Sequence, residues 1–238
     1  MDTIHLNDQR VKMVAHRGVS GLERENTCAA FVAAGNRSYY GIETDVHRTA
    51  DGKYIIIHDD DTKRVAGTEL SVEETDFDTL RALRMKDLSG FERADLIFPS
   101  LEEYIMVCRY YGKVSVLELK NHFEPQHIQE IIDIVRSCGW LDETIFISFD
   151  LENMIALRAM MPGQKAQYLT CEFTDDLPGI LKEHKLDLDI HHRAVTKENV
   201  ALLHSMGIEV NVWTVDTVED AQRVIACGVN YLTSNILE

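Results

Sequence analysis

The chain has 238 residues, 45% of them hydrophobic and 27% charged, and a formal net charge of -16. This length fits one large domain or two small ones, and the acidic balance lacks the basic footprint needed to bind nucleic acid or an anionic membrane. The five cysteines, Cys28, Cys108, Cys138, Cys171 and Cys227, are odd in number and widely spaced, which argues against a disulfide framework or a zinc site and suits a reducing compartment.

The opening stretch, MDTIHLNDQRVKM, has no apolar core of a signal peptide, and no apolar run could span a bilayer. A cytoplasmic protein without membrane insertion is expected. The first apolar run predicts a strand over Val11–His16 that stops at His16-Arg17-Gly18. Asn26-Thr27 is a helix-start signal, and a helix of small residues follows over Thr27–Ala34. Two apolar runs, Ile42–His47 and Lys53–His58, flank Asp51-Gly52, a tight-hairpin signature, so they are expected to pair antiparallel. From His58 to Ser100 the chain is polar with one weak helix, Glu73–Leu83. That is too long for an ordinary connection and is expected to form a lid or small insertion on the catalytic face.

Strands and helices then alternate to the end. Helix Leu101–Tyr111 opens with a capping box, Ser100 with Glu103, and precedes strand Val114–Leu119. Pro125 opens helix Gln126–Cys138, and strand Thr144–Ser148 leads to helix Leu151–Met160 behind the N-cap Asp150. Strand Gln164–Leu169 and helix Asp175–Lys185 come next, then strand Leu186–His191 and helix Lys197–Met206 behind Thr196. Strand Glu209–Thr214, helix Val218–Cys227 and strand Asn230–Thr233 complete the series. Gly112, Gly139, Gly207 and Gly228 stand where helices end and a left-handed residue is needed. This alternation predicts a parallel sheet with helices outside. Nine candidate strands exceed a barrel's eight by one, and the hairpin accounts for the excess. The expected fold is an α/β TIM (β/α)8 barrel, one catalytic domain over residues 1–238, with residues 59–99 inserted after the strand pair that ends at His58.

Chemistry on such a barrel sits at the C-terminal ends of the strands. Glu43 and Asp45 are two apart on one strand and share a face, as do Glu118 and Lys120 on another. Neighbouring carboxylates repel one another, so their convergence at a barrel mouth calls for a divalent cation, and oxygen-only ligation selects magnesium or calcium. His16 and His58 end strands and titrate near neutral pH, so one can take a proton while the other gives one. Arg17 offers a fork of donors to phosphate oxygens, and Lys120 adds a point charge. Together these describe phosphodiester cleavage. His47 shares the face of Asp45 and is expected behind the site. His5, His127, His184 and His204 read as tail or helix-surface residues, and His191 and His192 are not counted in the site.

At this point the chain resembles the glycerophosphodiester phosphodiesterase family. The residues that carry the resemblance are HRG at His16–Gly18, ENT at Glu25–Thr27, ETDVHRTADG at Glu43–Gly52 and IIHDDDT at Ile56–Thr62. They continue with PSLEEY at Pro99–Tyr104, LELK at Leu117–Lys120, SF at Ser148-Phe149 and VWTV at Val212–Val215. They occur in the family's order and cover most of the chain. The resemblance implies a TIM barrel and a hydrolase of lipid and glycerol metabolism that cleaves a small glycerophosphodiester to glycerol 3-phosphate and an alcohol. It implies calcium or magnesium on Glu43, Asp45 and Glu118, with His16 and His58 as the acid/base pair and Arg17 and Lys120 on the phosphate. Trp213 would wall the glycerol; a packing residue of the last strands is the other reading. Asn26 either caps its helix or belongs to the site, and Glu25 supports it. The family's usual aspartate-rich, proline-containing closing turn is replaced here by GVNYLTSNILE.

Two other readings stay open: a phospholipase D-like lyase that forms a cyclic phosphate, and a phosphodiester-binding protein without catalysis. The chain is expected to act as a monomer or homodimer.

Overall fold

The β-strands of the computed structural model are β1 (Lys12–Ala15), β2 (Gly41–Arg48), β3 (Tyr54–Ile56), β4 (Val114–Leu119), β5 (Thr144–Ser148), β6 (Ala166–Thr170), β7 (Asp187–His191), β8 (Val210–Trp213) and β9 (Tyr231–Ser234). The structure describes residues 2–6 and 10–238; Met1 and residues 7–9, part of the N-terminal stretch read for a signal peptide, lie outside the described residues. The strands run in the order β1-β9-β8-β7-β6-β5-β4-β2, and β1 also pairs with β2, which closes the sheet into an eight-stranded parallel barrel. The protein is a TIM barrel. β3 is the extra strand and lies antiparallel on β2, with Ile56 opposite Val46. The hairpin at Asp51-Gly52 therefore has its predicted place, with Gly52 at φ 78.

The helices are α1 (Cys28–Gly35), α2 (Lys63–Ala66), α3 (Phe77–Ala82), α4 (Leu101–Tyr111), α5 (Pro125–Ser137), α6 (Leu151–Met160), α7 (Leu177–His184), α8 (Lys197–Ser205) and α9 (Val218–Cys227). The period of two along each strand separates two apolar layers. Leu188 and Ile190 of β7, with Val210 and Val212 of β8, face outward and pack with Leu181, Val200 and Val224 of the helices. Val14, Val116, Ile145, Ile147, Leu169 and Tyr231 fill the lumen. The helix caps act as their sequence suggests. Ser100 and Glu103 close a reciprocal capping box on α4, Asp150 accepts from the first turn of α6, and Thr196 does so for α8.

The insertion differs in detail from its expectation. It contains two short helices, α2 and α3, rather than one over Glu73–Leu83. Thr75 O accepts from Ala50 N and Asp51 Oδ1 accepts from Phe77 N, so this backbone is tied to the hairpin turn and a helix begins only at Phe77. Val65, Val72, Leu80, Met85, Leu96 and Phe98 make an apolar nucleus with Ile55 and Ile57 of the ribbon, apart from the barrel core. No helix among the described residues is long and apolar enough to cross a membrane.

Candidate active site

The turn after β1 builds the first corner of the site. His16 N donates to Ser234 O at 2.9 Å, which continues the β1–β9 pairing. The chain then reverses through Arg17 at φ 54 and Gly18 at φ 75. A left-handed arginine is an uncommon backbone state, and here it aims Arg17 N at Glu43 Oε2, 2.7 Å away. A Cβ on Gly18 would lie 2.7 Å from the backbone carbon of Ala30, so α1 can back onto this turn only past a glycine.

Of the two readings left open for Asn26, the helix cap does not hold. It sits at φ 54, and Thr27 caps α1 instead, its Oγ1 accepting from Ala30 N. The side chain of Asn26 is thereby directed inward. Its Nδ2 donates to Asp45 Oδ2 at 2.7 Å, and its Oδ1 accepts from Thr44 Oγ1 at 2.7 Å. It holds one of the carboxylates in place.

Glu43 and Asp45 of β2 and Glu118 of β4 each offer an oxygen, and these oxygens lie within 4.8 Å of one another. Parallel pairing puts Asp45 directly beside Glu118. The three are 4%, 1% and 7% exposed. Such a cluster is costly to bury unless its charges are met. Asp45 Oδ1 and Glu118 Oε1 are buried without a well-aligned hydrogen bond from a described residue, and the Nζ of Lys120 ion-pairs with them at 3.4 Å and 2.9 Å. Burial, then the charge of Asp45, raises Glu43 well above the usual carboxylate range and pushes Glu118 up to about 7. Burial alone would raise Asp45 too, but Lys120 and then Arg17 hold it well below that range. Three buried carboxylate oxygens that converge in this way fit a hard divalent cation.

The cations and histidines surround this cluster. Arg17 Nε stands 3.6 Å from Asp45 Oδ2, and its Nη1 donates to Glu25 Oε1 at 2.9 Å. His16 Nε2 lies 4.0 Å from Glu43 Oε2. Burial, then the charge of Arg17, lowers His16 to about 4, so its imidazole is neutral near pH 7. His58 follows β3 and hangs over the barrel from the ribbon. Its Nδ1 is 2.7 Å from Asp59 Oδ1, and burial lowers its pKa as well. His16, Arg17, Glu43, His58, Glu118 and Trp213 line one pocket, together with Phe149 of the SF motif. Asp45 and Lys120 stand behind it through the ion pairs above. Trp213 meets Phe149 edge-on at 5.6 Å, at the mouth rather than in the outer core. His47 is fully buried, with Nδ1 3.6 Å from Glu73 and Nε2 3.4 Å from His58 O, behind the loop that carries His58. A roomier cleft outside the barrel, lined by Lys53, Phe77, Arg81 and Glu130, holds none of these groups.

Three features were not legible as site residues. The first is in the divergent closing stretch. Asn235 Oδ1 lies 2.7 Å from His16 Nδ1 and accepts from Ser20 Oγ at 2.5 Å, while Asn235 Nδ2 donates to Asp216 Oδ2 at 2.6 Å. The second is a strap from the insertion: Arg64 donates to both oxygens of Glu25 and to Asp59. The third is Asp189 of β7, a buried carboxyl on the wall of the same pocket. Asn235 and Asp189 are polar residues at inward or strand-end positions, which was the available signal.

With this geometry in view, three comparisons bear on the chain. The model of the glycerophosphoryl diester phosphodiesterase family matches residues 16–237. A glycerophosphodiester phosphodiesterase of Caldanaerobacter subterraneus subsp. tengcongensis is 27% identical over 221 residues, covering 92% of this chain and 91% of that one. Among solved structures, a phosphodiesterase of Oleispira antarctica in complex with the product sn-glycerol-3-phosphate superposes with a TM-score of 0.87 at 24% identity, covering 94% of this chain and 93% of that one. A further structure, from Silicibacter pomeroyi, has a TM-score of 0.85 at 23% identity over 99% of this chain and 91% of its own.

Proposed function

The chain belongs to the glycerophosphoryl diester phosphodiesterase family, and from that premise we propose that it hydrolyses small glycerophosphodiesters to glycerol 3-phosphate and an alcohol. The observation that carries this reading is the set of three buried carboxylates at the barrel mouth, with His16 and His58 both lining the pocket there. Glu43, Asp45 and Glu118 would hold one magnesium or calcium ion. When bound, such an ion polarises a phosphoryl oxygen and lowers the pKa of a bound hydroxyl.

The residues of the chain supply the rest. A carboxylate or amide oxygen can only accept, so Nδ1 carries the hydrogen in both His16 and His58. That leaves Nε2 of each to exchange a proton with substrate: the ring that acts as base is neutral and takes the proton of the attacking hydroxyl, and the ring that acts as acid carries a proton on both nitrogens and gives the one on Nε2 to the leaving alcohol. If the neighbouring hydroxyl of the glycerol attacks phosphorus first, the two exchange roles when water opens the cyclic phosphate. Arg17 and Lys120 offer their remaining donors to the phosphate oxygens, where negative charge grows. Trp213 gives the carbon chain an apolar wall.

Residues 59–99 serve as a lid within the same catalytic unit, strapped down by Arg64 on Glu25 and Asp59. All five cysteines are free, which suits the reducing cytoplasm as its location. The test is to follow phosphorus by nuclear magnetic resonance during turnover of glycerophosphocholine. Accumulation of a phosphomonoester supports hydrolysis; a cyclic phosphate as the final product would make the protein a lyase.

A further inference from the structure

Asp189 is 2% exposed and lines the pocket, and nothing in the reaction above uses it. It sits on β7 between Leu169 of β6 and Asn211 of β8. Its outward-facing neighbours Leu188 and Ile190 pack in the outer core, so alternation sends Asp189 into the lumen. A polar layer lies there, and it satisfies itself without Asp189. Asn211 Nδ2 donates to Gln167 Oε1 at 3.2 Å, and Asn211 Oδ1 accepts from Thr233 Oγ1 at 3.2 Å. Asp189 Oδ1 accepts no hydrogen bond from any described residue. A buried polar atom left unmet is costly, and the residue that carries this one is part of the pocket lining.

The surroundings restrict what could meet it. The cations placed for phosphate, Arg17 and Lys120, follow β1 and β4, not β7. The wall beside Asp189 carries Ile147, Leu169 and Trp213, which suit carbon rather than charge. A carboxyl oxygen accepts a hydrogen bond from a hydroxyl whether the group is ionised or not. We propose that Asp189 is a specificity-determining residue whose carboxyl accepts a hydrogen bond from the free terminal hydroxyl of the substrate's glycerol unit. This rests on the reaction proposed above, in which the neighbouring hydroxyl is the reactive one and the terminal hydroxyl takes no part. A site built to bind a hydroxyl rejects the analogue that lacks it far more strongly than an apolar pocket does.

The experiment compares kcat/KM for glycerophosphocholine with that for an analogue built on propane-1,2-diol. The analogue keeps the neighbouring hydroxyl and has a methyl in place of the terminal one. The wild type is expected to prefer glycerophosphocholine by about 100-fold or more. In Asp189→Leu the ratio collapses to a few-fold, through loss on glycerophosphocholine. Asp189→Asn keeps an acceptor oxygen and most of the ratio. Asp189→Ala replaces the leucine variant if that one does not fold. A lumen residue with only a packing role would lower both rates together and leave the ratio intact, which would overturn the inference. So would a ratio unchanged in all variants alongside an altered choice between choline and ethanolamine head groups. If the metal-loaded wild type cleaves neither compound, the proposed reaction falls and this inference falls with it; cleavage of both with an unmoved ratio removes this inference alone.

Discussion

Asn235 holds His16 by its Nδ1 at 2.7 Å, and Asp216 fixes which way round the Asn235 amide sits. Asp216 can only accept, so the amide nitrogen turns to it and the amide oxygen turns to the imidazole. The hydrogen of a neutral His16 is thereby placed on Nδ1, and the lone pair on Nε2 points toward the carboxylate cluster. Asn235→Leu should leave the fold intact and lower kcat by about 10- to 100-fold, in the range of lost acid/base positioning. Asn235→Asp puts an opposite charge against the imidazole, which favours its protonated form. The limb of the kcat/KM profile that His16 sets, acid if it is the base and alkaline if it is the acid, should then move to higher pH than in the wild type. A limb that stays in place in Asn235→Asp would contradict this account of the contact.

Substitution of either histidine tests the proton transfers themselves. His16→Ala and His58→Ala should each cut kcat by at least about 100-fold while thermal unfolding stays cooperative. Full activity in both variants would remove the pair from the reaction.

The carboxylate cluster makes a prediction about pH and metal together. Glu118, pushed up to about 7 by burial and then Asp45, and Glu43, raised for the same reasons, bind protons in the folded state that the unfolded chain has released. Above the ordinary glutamate pKa the native state therefore holds more protons, so its stability falls as pH rises toward 7. A cation binds the ionised carboxylates and reverses this. After EDTA treatment, added magnesium or calcium should raise Tm more at pH 8 than at pH 5. Glu118→Gln should lose most of that increment. An equal rise at both pH values would point to binding elsewhere.

Arg64 ties the insertion to the site through Glu25 and Asp59. Half-exposed ion pairs contribute little to global stability, so Arg64→Ala should barely move Tm. It should release the strap, raise KM several-fold and expose residues 59–99 to limited proteolysis. Unchanged cleavage kinetics and unchanged KM would argue against a lid.

Gly18→Ala should do more damage than its size suggests. A left-handed alanine costs roughly 1–2 kcal/mol, and overpacking against Ala30 adds about 1–3 kcal/mol. Loss of Tm should accompany loss of activity, because Arg17 and His16 share the turn.

Much of this architecture was legible because its causes are local. The limits of α4, α6 and α9 agree to the residue with the sequence pattern, since Ser100, Asp150 and Thr217 cap them by short-range bonds. The barrel strands follow from apolar runs closed by polar ends, and the hairpin from Asp51-Gly52. The start of α3 was not legible because Phe77 N bonds to Asp51, a contact across the turn that no local pattern encodes. The same distinction divides the site. Glu43 and Asp45 are legible as candidates because they share one face of β2, and Glu118, His16 and His58 because they lie at or just past strand ends. Asn235 reaches His16 across 219 residues of sequence and lies where the chain leaves its family's pattern, so only the closed barrel reveals the contact. Asn26 precedes a helix and so could be read as its cap or as part of the site; Thr27 does the capping and Asn26 turns to Asp45.

The most direct measurement is a coupled assay for glycerol 3-phosphate released from glycerophosphocholine, glycerophosphoethanolamine and glycerophosphoglycerol, with EDTA and after return of magnesium or calcium. The account predicts no release in EDTA and restored release with one or both ions. Folded, metal-loaded protein that releases glycerol 3-phosphate from none of the three would contradict it.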